Sequence, residues 1–276
     1  MSGDRPSWNF SAGDEISPGR SALSLLGGGH RCEAWLARNE SRDQRLVIKL
    51  LRPNHVDNER SRRALAREAR AVERVTHPSI VRLLDASVET ARPLIALEHI
   101  DGPRLSTFVR RTRALTFGEV TKLGQELASA LAVIHGAGLV HMDVKPKNVI
   151  LGQQGTLIDF GMARTLAEVR TLDSPIGTTA YMSPEQCRAD TICSFGPAGD
   201  VWGLGVTLYE AASRSLPFPK TTEQDVYPQT HLTPAPLPVD APRPLAELIM
   251  SALAYEPADR PTASDLAADL ERLSAP

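Results

Sequence analysis

Two different spacings of apolar residues organise the first quarter of the chain. From Ile16 to Lys49 the pattern is strand-like, with short clusters of apolar and β-branched residues at positions 23–26, 34–36 and 46–51, the last of which extends just past Lys49. From Asn58 onwards the spacing changes to a helical period, and one stripe carries Leu65, Ala69, Val72 and Val75. Arginines lie mostly off that stripe, which is typical of a solvated helix face. The pattern therefore predicts several strands followed by one amphipathic helix.

The rest of the chain is predicted to begin with one more strand and then to be mainly helical. Residues 94–100 form an apolar stretch that ends at the polar turn Asp101-Gly102-Pro103. Thr116 and Glu119 have the spacing of a capping box ahead of a long helical pattern, and Thr262 and Asp265 repeat that spacing near the end. The proline-rich segment 228–244 is predicted to be an irregular surface connection, and there are no internal repeats.

The richest chemistry lies in His141-Met142-Asp143-Val144-Lys145-Pro146-Lys147-Asn148, followed sixteen positions after Asp143 by Asp159-Phe160-Gly161. A carboxylate, a lysine, an amide oxygen and a second carboxylate are what phosphoryl transfer from a nucleotide requires, because that reaction depends on positioning and charge neutralisation. Residues 149–151 and 157–158 are apolar and flank a Gly-Gln-Gln-Gly turn. This pattern predicts a hairpin that returns Asp159 beside Asn148.

Bulk composition excludes several classes of protein. A net charge of −2 over 276 residues gives no basic field for nucleic acid. There is no run of 18 apolar residues, so no membrane span is expected in this chain. Three cysteines make no disulfide framework, which favours a reducing cytoplasm. Only 5 of the 31 basic residues are lysines. Lysine at both 49 and 145 therefore indicates that these positions require a compact point charge, which arginine does not provide.

These motifs, in this order, resemble the catalytic domain of bacterial-type (eukaryotic-like, Hanks-type) Ser/Thr protein kinases over roughly residues 17–273. The motifs that carry the resemblance, besides the catalytic loop, are residues 26–32, Val47-Ile48-Lys49, Glu68, residues 177–185, residues 200–205 and Asp259-Arg260-Pro261. The resemblance implies an α+β bilobal fold, with a small, mostly β N-lobe containing one main helix and a larger, mostly helical C-lobe. The boundaries that follow are a flexible leader over 1–15, an N-lobe over about 16–98, a hinge over about 98–103 and a C-lobe over about 104–276.

The resemblance also assigns roles to particular residues. Asp143 would accept or orient the proton of the substrate hydroxyl, and Lys145 would neutralise the γ-phosphate. Asn148 and Asp159 would hold Mg²⁺, with Mn²⁺ as an alternative metal. The ATP-binding residues would be Leu26, Gly27, Gly28, Gly29, Ala34, Lys49, its ion-pair partner Glu68, and the hinge backbone near Glu98 and Ile100. Glu59 and Glu73 lie on the same predicted helix as Glu68, so that assignment depends on the resemblance alone.

The sequence departs from the family pattern at three positions. Cys32 stands where the third glycine is expected, and Ala34 replaces the usual valine. Met142 replaces the arginine that normally precedes the catalytic aspartate and binds a phosphate on the activation loop. Phosphorylation, for which Thr171 and Ser174 are the favoured positions, is therefore expected to couple weakly to Asp143. Thr178 is expected to touch Asp143 and Lys145, and Glu185 to pair with Arg260 in the C-lobe.

Three functions compete on this sequence. The favoured one is ATP-dependent phosphorylation of Ser and Thr residues on proteins, including autophosphorylation. A pseudokinase scaffold would lack the lysine, the base or the metal carboxylate, and all are present. A small-molecule kinase of the aminoglycoside-phosphotransferase kind is disfavoured by residues 177–185 and 200–205, which suit a peptide platform. The sequence leaves open the oligomeric state, and whether the chain is a free cytoplasmic kinase or a fragment of a receptor kinase.

Overall fold

The computed structural model describes residues 6–238 and 240–274. The chain divides into two compact units. The first runs up to Thr76 and takes in Val81–Ile100, and the second consists of His77–Ile80 and the chain from Asp101 onwards. The division after Ile100 falls inside the segment predicted as a hinge. His77–Ile80 differs from the predicted N-lobe boundary, because Ser79 accepts a hydrogen bond from Leu157 N–H (2.9 Å) in the second unit.

The first unit is built on a six-stranded antiparallel sheet with the order β1-β2-β3-β4-β6-β5. Its strands are β1 (Glu15–Ser17), β2 (Arg20–Gly28), β3 (Cys32–Asn39), β4 (Gln44–Leu51), β5 (Leu83–Ser87) and β6 (Leu94–Glu98). Side chains alternate across the sheet, so that Trp35, Ala37, Ile48 and Leu50 lie in one buried cluster. The register places Lys49 between Ala34 of β3 and Ile95 of β6.

Helix α1 (Glu59–Glu73) is the one main helix of this unit. Asn58 caps it, because its side chain accepts a hydrogen bond from Ser61 N–H at 3.0 Å. Leu65, Ala69 and Val72 of the predicted stripe are buried. The predicted helix is therefore confirmed.

The predicted flexible leader over 1–15 is wrong for residues 6–15, and residues 1–5 lie outside the described part of the chain. Trp8 and Phe10 pack against the buried cluster of the sheet. Their rings are stacked at 6.0 Å, and Phe10 meets Trp35 edge to face at 5.4 Å. Two aromatic rings bury enough apolar surface to fix a short segment, which outweighs its polar composition.

The second unit is mainly helical. Its helices are α2 (Leu105–Arg111), α3 (Phe117–Gly136), α4 (Leu166–Val169), α5 (Pro197–Ser213), α6 (Arg243–Ala252) and α7 (Ala263–Ser274). Its short strands are β7 (Leu139–Val140), β8 (Val149–Leu151), β9 (Gly155–Leu157) and β10 (Arg164–Thr165). The predicted capping box of Thr116 and Glu119 is present at the start of α3. Helix α3 packs against α7 and α5 and forms the centre of this unit.

The hairpin predicted after residues 141–148 is formed by β8 and β9. Ile158 N–H donates a hydrogen bond to the carbonyl of Asn148 at 3.0 Å, so Asp159 follows directly beside Asn148 as expected. The connection between α5 and α6 has only one 3₁₀ turn, Pro228–Thr230, among its described residues. Across 6–238 and 240–274, we find no helix with both the length and the apolar character that a membrane crossing requires. The mixed α+β fold, with a sheet-based unit and a mainly helical unit, is the one predicted.

Candidate active site

The loop between β7 and β8 is held in place by Asp200, which lies near the start of α5. Its buried carboxylate accepts hydrogen bonds from the backbone N–H groups of His141 (2.7 Å) and Met142 (2.8 Å). Its oxygen Oδ2 also lies 2.9 Å from His135 Nε2. Met142 has a positive φ of 65°, an uncommon conformation for a side chain of this kind. The Asp200 carboxylate stabilises this turn, which presents Asp143.

Asp143 is the centre of a group of polar side chains and is only 7% exposed. Its oxygen Oδ1 accepts a hydrogen bond from Thr178 Oγ1 at 2.8 Å. Its oxygen Oδ2 accepts hydrogen bonds from Lys145 Nζ (2.6 Å) and Asn148 Nδ2 (3.0 Å). Lys145 Nζ also donates to Thr178 Oγ1. The predicted contacts of Thr178 with Asp143 and Lys145 are therefore present. Donors on both oxygens hold the carboxylate in one orientation.

The imidazole of His141 lies buried within this loop. The ring is fully buried and meets Phe160 edge to face at 4.9 Å. Burial lowers the pKa of His141 below its usual 6.5, and this outweighs the opposing effect of Asp200 and other carboxylates. Its Nδ1 accepts a hydrogen bond from Asp143 N–H at 3.3 Å. The histidine therefore positions the loop.

Asn148 and Asp159 offer oxygen atoms that suit a hard divalent cation. Asn148 Nδ2 donates to the backbone carbonyl (2.9 Å) and the carboxylate (3.0 Å) of Asp143, so the amide oxygen is the atom of this side chain that can act as a ligand. Asp159 Oδ1 accepts a hydrogen bond from Gly161 N–H at 3.1 Å, which orients the carboxylate. Within the described residues, no group of three or more His, Cys, Asp and Glu side chains could hold a metal. Mg²⁺ is commonly held by one or two protein oxygens together with substrate phosphates, so the two residues fit it.

Lys49 and Glu68 form an ion pair inside the first unit, with Nζ and Oε1 2.7 Å apart. The Glu68 side chain is 4% exposed, so this carboxylate needs a cationic partner. Glu59, the earlier candidate on α1, instead pairs with Arg63 on the helix surface. The pairing that was inferred from resemblance is therefore present for Glu68.

The predicted glycine-rich loop joins β2 to β3. Gly27 has a φ of 132°, a conformation that favours glycine. A Cβ atom at Gly28 would lie 2.4 Å from the carbonyl oxygen of Cys32, closer than atoms can approach. Leu26 is exposed beside them, and Ala34 lies opposite Gly27 in the sheet. The loop is therefore a tight turn whose backbone only glycine can follow at these two positions.

The Glu98 side chain has a structural role. Its carboxylate accepts hydrogen bonds from the backbone N–H and the Nε of Arg82, both at 2.8 Å. Its own N–H donates to the Arg82 carbonyl at 3.0 Å. The Glu98 carboxylate is therefore bonded to Arg82. Contact between adenine and the backbone groups near Glu98 and Ile100 stays a prediction.

An apolar cluster surrounds Met142, where the family pattern has an arginine. Met142 is buried with Val140, Val169, Ile192 and Phe195. Partly buried side chains from the segment after Asp159 pack against it: Met162, Leu172 and Ile176. Gln186 adds a polar clamp, because its Nε2 donates to the carbonyls of Met142 (2.9 Å) and Ile176 (2.6 Å). The sequence analysis did not predict this cluster or the Gln186 clamp. The apolar Met142 in place of the arginine could have indicated an apolar environment at this position.

Glu185 and Arg260 form the predicted buried ion pair. The guanidinium of Arg260 donates to both carboxylate oxygens at 2.8 and 3.0 Å. It also lies over the Trp202 ring, 4.9 Å from the ring centre. A second buried amide, that of Gln229, donates to the carbonyls of Thr179 (2.8 Å) and Met182 (3.0 Å). These contacts brace residues 179–187, and sequence reasoning did not find the role of Gln229.

Comparison with known proteins agrees with this geometry. A family model described as "Protein kinase domain" matches residues 21–269. The chain is 35% identical over 251 residues to the probable serine/threonine-protein kinase PkwA of Thermomonospora curvata, covering 90% of this chain and 33% of that protein. It is 32% identical over 264 residues to the serine/threonine-protein kinase pkn3 of Myxococcus xanthus, covering 88% of this chain and 47% of that protein.

A third relative, the serine/threonine-protein kinase PkaA of Streptomyces coelicolor, is 38% identical over 213 residues, which cover 74% of this chain and 38% of that protein. The chain belongs to the protein kinase family, and the relatives it resembles are bacterial Ser/Thr protein kinases. It spans a third to a half of the length of these three relatives.

Proposed function

We propose that this chain transfers the γ-phosphate of ATP to Ser and Thr hydroxyls of proteins, including its own. The observation that carries the proposal is the set of hydrogen bonds around Asp143, which holds a carboxylate, a lysine and an amide within direct contact. Nothing in folding requires this buried polar group, because a packed apolar core would be at least as stable. A carboxylate, a lysine and an amide in direct contact are the groups that phosphoryl transfer uses for positioning and charge neutralisation.

Each residue has a distinct role in the proposed reaction. The Asp143 carboxylate accepts a hydrogen bond from the substrate hydroxyl and takes its proton as the oxygen attacks the γ-phosphorus. The bond from that phosphorus to the bridging oxygen breaks, and ADP leaves. Lys145 neutralises charge on the transferred phosphoryl group, and its bond to Asp143 sets the distance between the two. Lys49, oriented by Glu68, contacts the α- and β-phosphates.

Asn148 and Asp159 would hold a divalent cation, for which we propose Mg²⁺ with Mn²⁺ as an alternative. When bound, the cation neutralises phosphate charge and aligns the leaving group. The donors of the Asn148 amide are both committed to Asp143, so this one side chain links the metal side to the base. The residues Leu26, Gly27, Gly28, Gly29 and Ala34, and the backbone near Glu98 and Ile100, are proposed to surround the nucleotide.

Protein substrates are favoured over small molecules by residues 177–185. Thr178 touches Asp143, and the Gln186 amide holds the carbonyl of Ile176 just before it. After Thr178, the buried side chains of Gln229 and Arg260 hold Thr179 and Glu185. A rigid segment beside the base suits the docking of an extended peptide. We also propose a cytoplasmic site of action, because the three cysteines form no disulfide and the reaction uses ATP.

Incubation with γ-labelled ATP and Mg²⁺ distinguishes the competing functions. One arm contains a generic protein substrate, a second contains an aminoglycoside, and a third measures nucleotide binding alone. We expect label in the protein arm, and acid hydrolysis should recover it as phosphoserine or phosphothreonine. Label in the aminoglycoside arm alone, or binding without transfer, would contradict the proposal.

A further inference from the structure

Arg52 is the residue that follows β4, and it forms two hydrogen bonds with the backbone of the glycine-rich loop. Its Nε donates to the Gly29 carbonyl at 3.0 Å. Its backbone N–H donates to the Arg31 carbonyl at 2.8 Å. The side chain is 11% exposed although it carries a permanent charge, so its position is set by its partners.

The charge partner of Arg52 is Glu33, whose side chain is fully buried. Glu33 Oε1 accepts from Arg52 Nη1 at 3.0 Å, and its Oε2 accepts from Trp35 Nε1 at 2.9 Å. A buried carboxylate left without its cation is strongly unfavourable. The pair therefore holds the guanidinium in place beside Gly29.

The same guanidinium binds the segment that precedes the sheet. Arg52 Nη1 donates to the Pro6 carbonyl at 3.0 Å, and Trp8 Nε1 donates to the Leu51 carbonyl at 2.8 Å. The guanidinium of Arg92 lies 5.2 Å from the Trp8 ring centre and 5.4 Å from that of Phe10. Residues 6–10 lie before residue 21, where the match to the kinase family begins.

We propose that Arg52 and Glu33 position the glycine-rich loop, and that residues 6–10 tune nucleotide affinity through them. The turn between β2 and β3 is closed by a hydrogen bond from Gly29 N–H to the Cys32 carbonyl at 3.0 Å, and Arg52 adds the bonds to the carbonyls of Gly29 and Arg31. Holding such a loop in place before ATP arrives lowers the entropy lost on binding. The nucleotide part of this inference rests on the proposed function, whereas the ordering of the loop does not.

Hydrogen–deuterium exchange on the nucleotide-free protein tests the ordering. The variants are Arg52→Ala and Trp8→Ala, with Arg20→Ala as the matched control. Arg20 pairs with Asp85 on the same sheet at 2.7 Å, and it lies at the opposite end of β2 from the loop. In peptides covering residues 26–32, we expect exchange to rise about tenfold in Arg52→Ala, as for the loss of one or two net hydrogen bonds. A smaller rise is expected in Trp8→Ala, and none in the control.

Calorimetric titration with a non-hydrolysable ATP analogue tests the consequence. We expect Kd to rise about five- to twentyfold in Arg52→Ala, with Trp8→Ala between that variant and the wild type. In turnover assays the effect should fall on KM for ATP more than on kcat. Arg52→Lys, which can donate to only part of the set, should recover part of the affinity.

Several outcomes would overturn the inference. The first is unchanged loop exchange in both variants, since the ring contact of His30 with His55 at 4.9 Å would then suffice to hold the loop. The second is faster exchange over the whole sheet, which would show a purely structural role. If Arg52→Ala does not fold, Trp8→Phe, which keeps the ring and removes the N–H, takes its place with the same expected direction. A wild type that orders its loop and binds nucleotide but transfers no phosphate would refute the proposed function and leave this inference standing.

Discussion

The hydroxyl of Thr178 donates a hydrogen bond of 2.8 Å to the Asp143 carboxylate, across 35 positions of sequence. The same hydroxyl accepts a hydrogen bond from Lys145. This one oxygen therefore connects the segment after Asp159 to both residues proposed to act on the phosphoryl group and the substrate hydroxyl.

Replacing Thr178 by Val removes the hydroxyl and keeps the shape of the side chain. We expect kcat to fall about ten- to a hundredfold, because Asp143 and Lys145 lose the group that fixes their separation. KM for ATP should change little. Thr178→Ser is the control and should keep most of the activity, whereas equal losses in both variants would show that the methyl group matters instead.

The apolar cluster around Met142 predicts weak control by phosphorylation. Leu172 and Ile176 pack against that cluster, and the Gln186 amide ties Ile176 to Met142 by donating to both backbone carbonyls. Thr171 and Ser174 are exposed at this segment. We expect the phosphatase-treated enzyme and a Thr171→Ala/Ser174→Ala variant to retain initial rates within about tenfold of the fully phosphorylated enzyme, a barrier difference of about 1.4 kcal/mol.

Activation of about 100-fold or more on phosphorylation would correspond to about 2.7 kcal/mol and would contradict this expectation. Other basic residues would then have to replace the missing arginine. The measurement uses one peptide substrate at saturating ATP, with phosphate content determined by mass spectrometry.

The ion pair of Lys49 and Glu68 predicts unequal effects of two substitutions on α1. Glu68→Gln removes the charge partner of Lys49 in a largely buried pair, and should lower kcat/KM about tenfold or more. Glu59→Gln removes a surface partner of Arg63, and exposed pairs of this kind contribute little. Steady-state kinetics on the two variants compares them directly. Equal effects would remove Glu68 from its proposed role.

Three histidines predict that the fold loses stability in mild acid. Burial lowers the pKa of His55, His77 and His141 below 6.5, so each binds its proton more weakly in the folded state. Their contribution to stability is complete above pH 6.5 and is lost as the pH falls through the lowered values. Burial raises the pKa of Glu210 above its usual 4.5, so this group stabilises the fold as the pH falls and opposes the effect of the histidines. Its contribution grows at pH values closer to 4.5.

We therefore expect a lower Tm at pH 5.5 than at pH 7.5. His77→Gln, at a histidine outside the proposed catalytic group, should reduce the difference. An unchanged or higher Tm at pH 5.5 would show that these imidazoles are not the controlling groups.

Local patterns were sufficient to predict most of the elements, and with the resemblance they predicted several contacts among the candidate residues. The Thr116 capping box, the stripe on α1 and the β8–β9 hairpin depend on residues close in sequence, so the chain carries their signals directly. The order of the motifs then supplied Glu68 by resemblance. The leader was mispredicted over residues 6–15 because its aromatic side chains contact Trp35 and Arg92, which are distant in sequence.

Long-range polar contacts were the other features that the sequence did not reveal. Arg52 and Pro6 are 46 positions apart, and Asp200 contacts Met142 across 58. A surface arginine and a buried one look alike in a sequence. The clamp by Gln186 was likewise hidden, because its two carbonyl partners carry no side-chain signal.

The central claim is that Asp143 is the catalytic base of a protein kinase. Initial rates of γ-phosphate transfer from labelled ATP to a Ser/Thr peptide are the most direct measurement, made on the wild type and Asp143→Asn. The account predicts a loss of about 10²–10⁴-fold in the variant, with Tm and nucleotide Kd close to those of the wild type. A folded Asp143→Asn enzyme that kept wild-type turnover would contradict it.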